Sequence, residues 1–434
     1  MVLLVSVVSL AFILIGKKTW GQITNPVSMY SATWLFAMIA NALLVINFGG
    51  FVVNDRVYIM ILCTEIVFAI VCSAFDNKGY VIVSDTHLED DIPINMTLLY
   101  ICQIVALIIV LPKFMNTLGN FRSFGVAGIW NIRQEMVVGT STQFILDDLI
   151  KNIFVLPVFT ATLQVAFDAL INGGKSKKNT RFLVIIAICD IALYSFTYMG
   201  RLMLLTTIVY FLVCFFSGGR WSGIDPAIKK KAKKYILIFL VGFVVVLTVL
   251  TQYRSISSTN GVAYTATAYL GGSLKYFDTC IDAIKSEGTL TYGSALFAGL
   301  WDNFLLVFQR VFGIDFQRPL EIVTSFNTPM RIIGSNNLYF TAFGTVLLNM
   351  YLDGRIFGVI FDSAVMAIVS MVIYRRFVFY PTRRNRLIAN QMIMMLIWTM
   401  LYWDGNRFSS FMIFVYLILF TSRKRLNTVV RGKK

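Results

Sequence analysis

Histidine is almost missing from this chain: there is one, His87, in 434 residues. There is no HExxH pair, no P-loop and no GxGxxG turn after a strand, so zinc-protease, P-loop and dinucleotide-binding chemistry find no support. His87 itself sits in the acidic stretch Asp85–Asp91 and reads as a solvated loop residue. Cysteine is scarce too. Of six cysteines, Cys63, Cys72, Cys102, Cys189 and Cys214 fall inside apolar runs and only Cys280 in a polar segment. With no CxxC spacing, a disulfide framework and a cysteine metal site are both excluded, and each cysteine is expected to be a small buried apolar residue. Charge is the third shortage, at 14% of residues where soluble domains carry roughly 25%. An ordinary soluble enzyme is excluded.

What the chain has in quantity is long apolar runs, which make up most of its 57% hydrophobic content. Crossing a bilayer takes about 20 apolar residues. Runs at 1–16, 28–46, 57–75, 94–112, 153–172, 182–198, 202–217, 235–252, 355–374, 387–403 and 408–421 predict an all-α polytopic membrane protein with about eleven spans. Lys17 and Lys18 follow the first run instead of preceding it, the reverse of a signal peptide, so that run is expected to stay in the membrane. The formal charge of +16 would suggest nucleic acid in a soluble protein. Here most of the 38 basic residues fall on the connections 17–27, 76–93, 172–181, 217–234, 375–386 and 422–434. Placing those inside satisfies the positive-inside bias, with the N-terminus outside and the C-terminus in the cytoplasm. No nucleic-acid partner is implied; Lys229–Lys234 suit anionic membrane lipids. Lys113–Asn152, of mixed charge, is expected to lie outside, as an outer loop with an interfacial helix or as a re-entrant piece.

Three regions result: spans and short loops over 1–252, one large outer loop over 253–354, and spans with a basic tail over 355–434. The outer loop is rich in aromatics, among them Tyr264, Tyr269, Tyr276, Phe277, Trp301, Phe304, Phe308 and Tyr339. Within it Ser294–Phe312 and Asn337–Tyr351 are expected to be helices at the membrane surface. Arg201, Arg254, Arg318, Arg331 and Arg407 fall on the outer side, against the positive-inside trend. A guanidinium is a planar fork of donors matched to phosphate; pairing with a nearby carboxylate or with lipid phosphate is the alternative. Asp278 and Asp282, four apart, share one face of a helix. That makes Asp278 a candidate general base, although a solvated helical face explains the pair equally well. No metal-ligand pattern and no cofactor motif accompany these residues.

Several elements resemble a known family: Asn25-Pro26 ahead of Trp34, Gly200-Arg201-Leu202, Tyr253-Arg254-Ser255, Asn336-Asn337-Leu338-Tyr339-Phe340-Thr341 before Gly344, and Asp353-Gly354-Arg355-Ile356-Phe357-Gly358. In this order they are similar to the oligosaccharide repeat-unit polymerases, the Wzy-type O-antigen and capsule polymerases. The resemblance implies a GT-C-like glycosyltransferase of the bacterial inner membrane. Such an enzyme joins undecaprenyl-diphosphate-linked oligosaccharides into polysaccharide without a metal, alongside a chain-length co-polymerase. By the resemblance Arg201 and Arg254 would act in catalysis, and Arg318, Arg331 and Arg407, with Tyr339 of the quoted motif, would bind diphosphate or glycan, while Asp278 stands as the base candidate from its spacing alone. An O-antigen ligase is disfavoured because its family's outer-loop histidine has no counterpart here. A flippase or other transporter is disfavoured because mid-helix charges are few (Glu65, Asp168, Asp190 and Asp362) and no internal repeat is evident.

Overall fold

The computed structural model describes residues 1–75, 94–138, 147, 149–172, 177–198, 201–217, 262–335, 338–341 and 343–421. Within them seven helices are long and apolar enough to cross a membrane: α1 (Val2–Trp20), α2 (Pro26–Phe48), α3 (Asp55–Ala74), α4 (Met96–Val138), α5 (Leu156–Asn172, entered through a π-turn at Lys151–Val155), α6 (Lys177–Thr197) and α11 (Thr345–Phe379). Two shorter apolar helices, α7 (Arg201–Ser217) and α13 (Phe408–Phe420), match two further predicted runs. The run at 387–403 becomes α12 (Arg383–Trp398). The run at 235–252, with Lys229–Lys234, lies outside the described residues, as does His87. The chain is a multi-pass helical membrane protein. Its spanning helices show why: α1 leaves Leu3, Val7, Leu10 and Leu14 exposed on one face, which only lipid tolerates in such number.

Between the spans the chain forms α8 (Val262–Glu287), α9 (Ala298–Phe312), α10 (Pro319–Asn327) and a hairpin of β1 (Arg331–Gly334) and β2 (Leu338–Phe340). The helix expected over 337–351 is therefore corrected. Leu338 and Phe340 are buried while Tyr339 between them is exposed, a period of two that belongs to a strand, and β2 pairs antiparallel with β1. Only from Thr345 does helix begin, ten residues before the predicted span. In the region Lys113–Asn152, α4 continues as helix through Pro112 to Val138, while residues 139–146 and 148 lie outside the described residues. The cysteines divide, with Cys72, Cys102, Cys214 and Cys280 buried but Cys189 exposed on α6.

The chain divides into two compact units. One comprises 1–78, 219–374 and 392–411. There Asn25 caps α2, its Oδ1 accepting from the Ser28 amide at 2.9 Å with Pro26 in the first helical position, a strong helix start. α8 crosses α2 so closely that a Cβ on Gly271 would lie 2.5 Å from the Ala40 carbonyl oxygen, and Asn41 donates to the Gly271 carbonyl at 2.9 Å. The other unit comprises 79–218, 375–391 and 412–434. Among its buried charged residues is a triad. Arg386 donates to both Asp168 carboxylate oxygens at 2.6 and 2.9 Å and Arg383 to one at 3.1 Å, which keeps a fully buried carboxylate tolerable inside a helical core.

Candidate functional site

The first unit carries all five of the predicted site residues whose side chains the structure describes: Asp278, Arg318, Arg331 and Arg407, and Tyr339 on the exposed face of β2. Arg201 is the first residue of α7, and Arg254 lies outside the described residues.

Asp278, on α8, is almost wholly buried and receives donors from every side. Asn54 reaches both carboxylate oxygens at 2.9 and 3.0 Å, Arg56 Nε at 2.8 Å and Lys275 Nζ at 2.8 Å. Arg56 also grips Asp282 with two bonds of 2.6 and 2.7 Å. Burial alone would raise the Asp278 carboxyl, but the bonds from Lys275, Arg56 and Asn54 outweigh it and hold it below the usual carboxylate range. A carboxylate so saturated ties α8 to the start of α3. Lys275 lies three residues before Asp278 on the same helix, a spacing the sequence displays, whereas Arg56 carried no signal of this, because α3 and α8 meet only in the fold.

Arg318 is likewise occupied. It bonds Asp302 at 2.9 Å and Glu321 at 2.6 Å, fastening α9 to the start of α10. Its charge is already matched within the protein.

Arg331 and Arg407 stand at two ends of a continuous run of rings. The Arg331 guanidinium lies 5.8 Å from the Tyr276 ring. Tyr276 meets Phe340 at 5.8 Å, Phe340 meets Phe343 at 5.9 Å, Phe343 meets Tyr402 at 6.1 Å, and Arg407 lies over Tyr402 at 4.3 Å. These are the separations of favourable ring pairs and cation–π contacts. Tyr269 rests on both Phe340 and Phe343 at 6.3 and 5.7 Å and keeps one face exposed. The Tyr276 phenol, pushed by burial up to about 12, sits among the carbonyls of Phe326, Asn327 and Pro329. Sequence reading found Tyr269 and Tyr276 but not Phe340, Phe343 or Tyr402. The alternating β2 pattern was the available signal for the first.

The turn that carries Arg407 is held rigidly. Asn349 donates to Asn406 at 2.6 Å and to the Ala295 carbonyl at 2.7 Å, and the Trp403 indole donates to the Leu296 carbonyl. Gly299 of α9 packs against the Asn406–Arg407 backbone so tightly that no Cβ fits. In this turn Asp404 is buried, with Arg407 at 4.0 Å. Burial raises its carboxyl above the ordinary value, Arg407 opposing but not cancelling the effect. A carboxyl of raised proton affinity beside a cation and an aromatic floor can take a proton from a hydroxyl and release it again.

Asp353 closes the region. It accepts from the Thr291 hydroxyl at 2.7 Å and from the Ala295 and Leu296 amides at 2.8 Å, shaping the turn before α9. After it α11 breaks at Gly354 and Arg355.

No protein-family model, no curated protein and no solved structure matches this chain.

Proposed function

We propose that the chain is a metal-independent, GT-C-like glycosyltransferase of the bacterial inner membrane. It joins undecaprenyl-diphosphate-linked oligosaccharide repeat units into O-antigen or capsular polysaccharide at the outer face, working with a chain-length co-polymerase. The observation that supports this reading most is the aromatic run with an arginine at each end. Sugar rings lay their apolar faces on aromatic side chains, and Tyr269 offers one. Arg407 and Arg331 supply planar donors for phosphate oxygens. In the reaction the acceptor hydroxyl attacks the anomeric carbon, its proton passes to a carboxylate, and the diphosphate departs with growing negative charge. Guanidinium groups aimed at that charge contribute on the order of 3 kcal/mol each, as oxyanion donors do. Of the described carboxylates we assign the base to Asp404, whose raised affinity and place beside Arg407 suit it, in preference to the saturated Asp278. Arg201 and Arg254 remain assigned to the diphosphate by resemblance.

The purified protein, supplied in detergent with a lipid-linked repeat unit, is expected to lengthen it into a ladder. R407A or R331A should abolish the ladder while the protein still inserts in the membrane. A ligase would make a single transfer to a non-repeat acceptor, and unchanged product length would refute the reading. One observation favours transport as a second reading: Glu65 and Asp362 are buried in spanning helices, a feature of carriers. Translocation of the lipid-linked unit across vesicles with no lengthening would decide for it.

A further inference from the structure

Arg355 belongs to no role assigned above, and its surroundings are unusual in three respects. Its backbone is at φ 58°, ψ −134°, outside the wells open to side-chain-bearing residues and reached freely only by glycine. A residue is kept there only when something over-determines it. Its side chain is underused. One terminal nitrogen donates to the Ile284 carbonyl at 2.9 Å, and the guanidinium lies 5.3 Å from the Tyr351 ring. The other terminal nitrogen, NH1, is completely buried and donates to nothing. No carboxylate pairs with Arg355 among the described residues: Asp278 and Asp282 are bound to Arg56 and Asp353 to Thr291 and two amides, and no ion pair joins Arg355 to Glu287 at the end of α8 or to Asp362 further along α11. Finally, its depth is marked by the helix itself. From Thr345 to Asp353 every residue of α11 is buried. Immediately after the break Ile356, Phe357, Ile360 and Phe361 are exposed. The lipid-facing part of α11 thus begins at Arg355, which puts its guanidinium at headgroup level.

A buried guanidinium donor needs an acceptor, and an unmatched positive charge needs an anionic one. At that depth the abundant oxyanion is phosphate, to which the guanidinium fork is fitted. We propose that Arg355 is a phosphate-binding residue at the bilayer boundary, taking a phosphate group borne by a phospholipid headgroup or a diphosphate. The assignment does not rest on the polymerase reading, since either source satisfies the same donors.

The test uses the full-length protein purified in a delipidating detergent at fixed ionic strength. Its thermal midpoint is followed against inorganic pyrophosphate, and native mass spectrometry counts the phospholipids it retains. The decisive variant is R355G, because glycine suits this backbone and the fold should keep its ligand-free midpoint. A pyrophosphate-induced rise present in wild type and absent in R355G supports the site with a diphosphate source. One phospholipid fewer on R355G than on wild type supports it with a headgroup source. R310Q, which removes an exposed arginine of α9, should match wild type in both measurements, and R355K should bind pyrophosphate about tenfold more weakly for want of the fork. The proposal is overturned if wild type shows neither effect, if R355G equals wild type, or if R310Q loses the effect equally. Should R355G fail to fold, R355K decides, and affinity equal to wild type overturns it.

Discussion

Two aspartates of the first unit, Asp278 and Asp404, have opposite surroundings and should answer pH in opposite directions. Asp278 is held below the usual carboxylate range despite its burial, because Lys275, Arg56 and Asn54 favour the ionised form. Its contribution is therefore complete above the unfolded value of about 4 and fades as pH falls below it. D278N should cost about 2 kcal/mol near neutral pH, a buried-pair loss discounted for the partly exposed Arg56. It should also flatten the acid limb of a thermal-midpoint profile; an unchanged limb would show that the clamp carries no stability. Asp404 is raised by burial. Folding there prefers the neutral form, so its contribution is fullest below about pH 4 and declines as pH climbs through the raised folded value. D404N should accordingly leave the neutral-pH midpoint equal or higher while abolishing polymer, and the wild-type rate should rise with pH as Asp404 ionises. Retained polymer in D404N would strip it of the base role. The spacing of Asp278 and Asp282 was legible in the sequence. Arg56, 222 positions from Asp278, was not, because no local spacing links the start of α3 to α8.

At the scale of elements, apolar runs of span length translated into helices because burial or lipid decides them regardless of detail. The errors lie where a local rule met tertiary context. Helical spacing was read through 337–351, yet the short alternation Leu338-Tyr339-Phe340 pairs with β1. α9 was expected to begin near Ser294 and begins at Ala298, since Asp353 takes the preceding amides into a turn. Exposed Trp301, Phe304, Val307, Phe308, Val311 and Phe312 line its outer side, while Gly299 seats it on the turn of Asp404 and Arg407. G299A should push that turn away, costing about 1–3 kcal/mol as an overpacked contact. Polymer yield should fall more than the midpoint loss explains, because Arg407 moves with the turn. A yield that tracks stability alone would show that α9 merely packs.

For the whole molecule, the charge surplus of +16 acts through its distribution, and the orientation drawn from it can be tested at two points. Tyr292, at 84% exposure, lies in the loop expected outside, and Tyr380, at 68%, in the connection expected inside. Neither position is buried, so a cysteine at either should react freely with a maleimide that reaches its side of the membrane. The native background is simple to clear, because only Cys63 and Cys189 are other than buried among the described residues and both can be made serine. In intact spheroplasts an impermeant maleimide should then label Y292C but leave Y380C untouched until the membrane is opened. The reverse pattern would put the aromatic run, Arg331 and Arg407 in the cytoplasm. It would remove the outer-face polymerase reading while leaving the phosphate site of Arg355 intact, since a headgroup boundary exists on either leaflet. Labelling of both in intact spheroplasts would mean that an even number of crossings separates the two positions, where the basic residues imply an odd one, and the positive-inside assignment would have to be redrawn from the connection 375–386 outward.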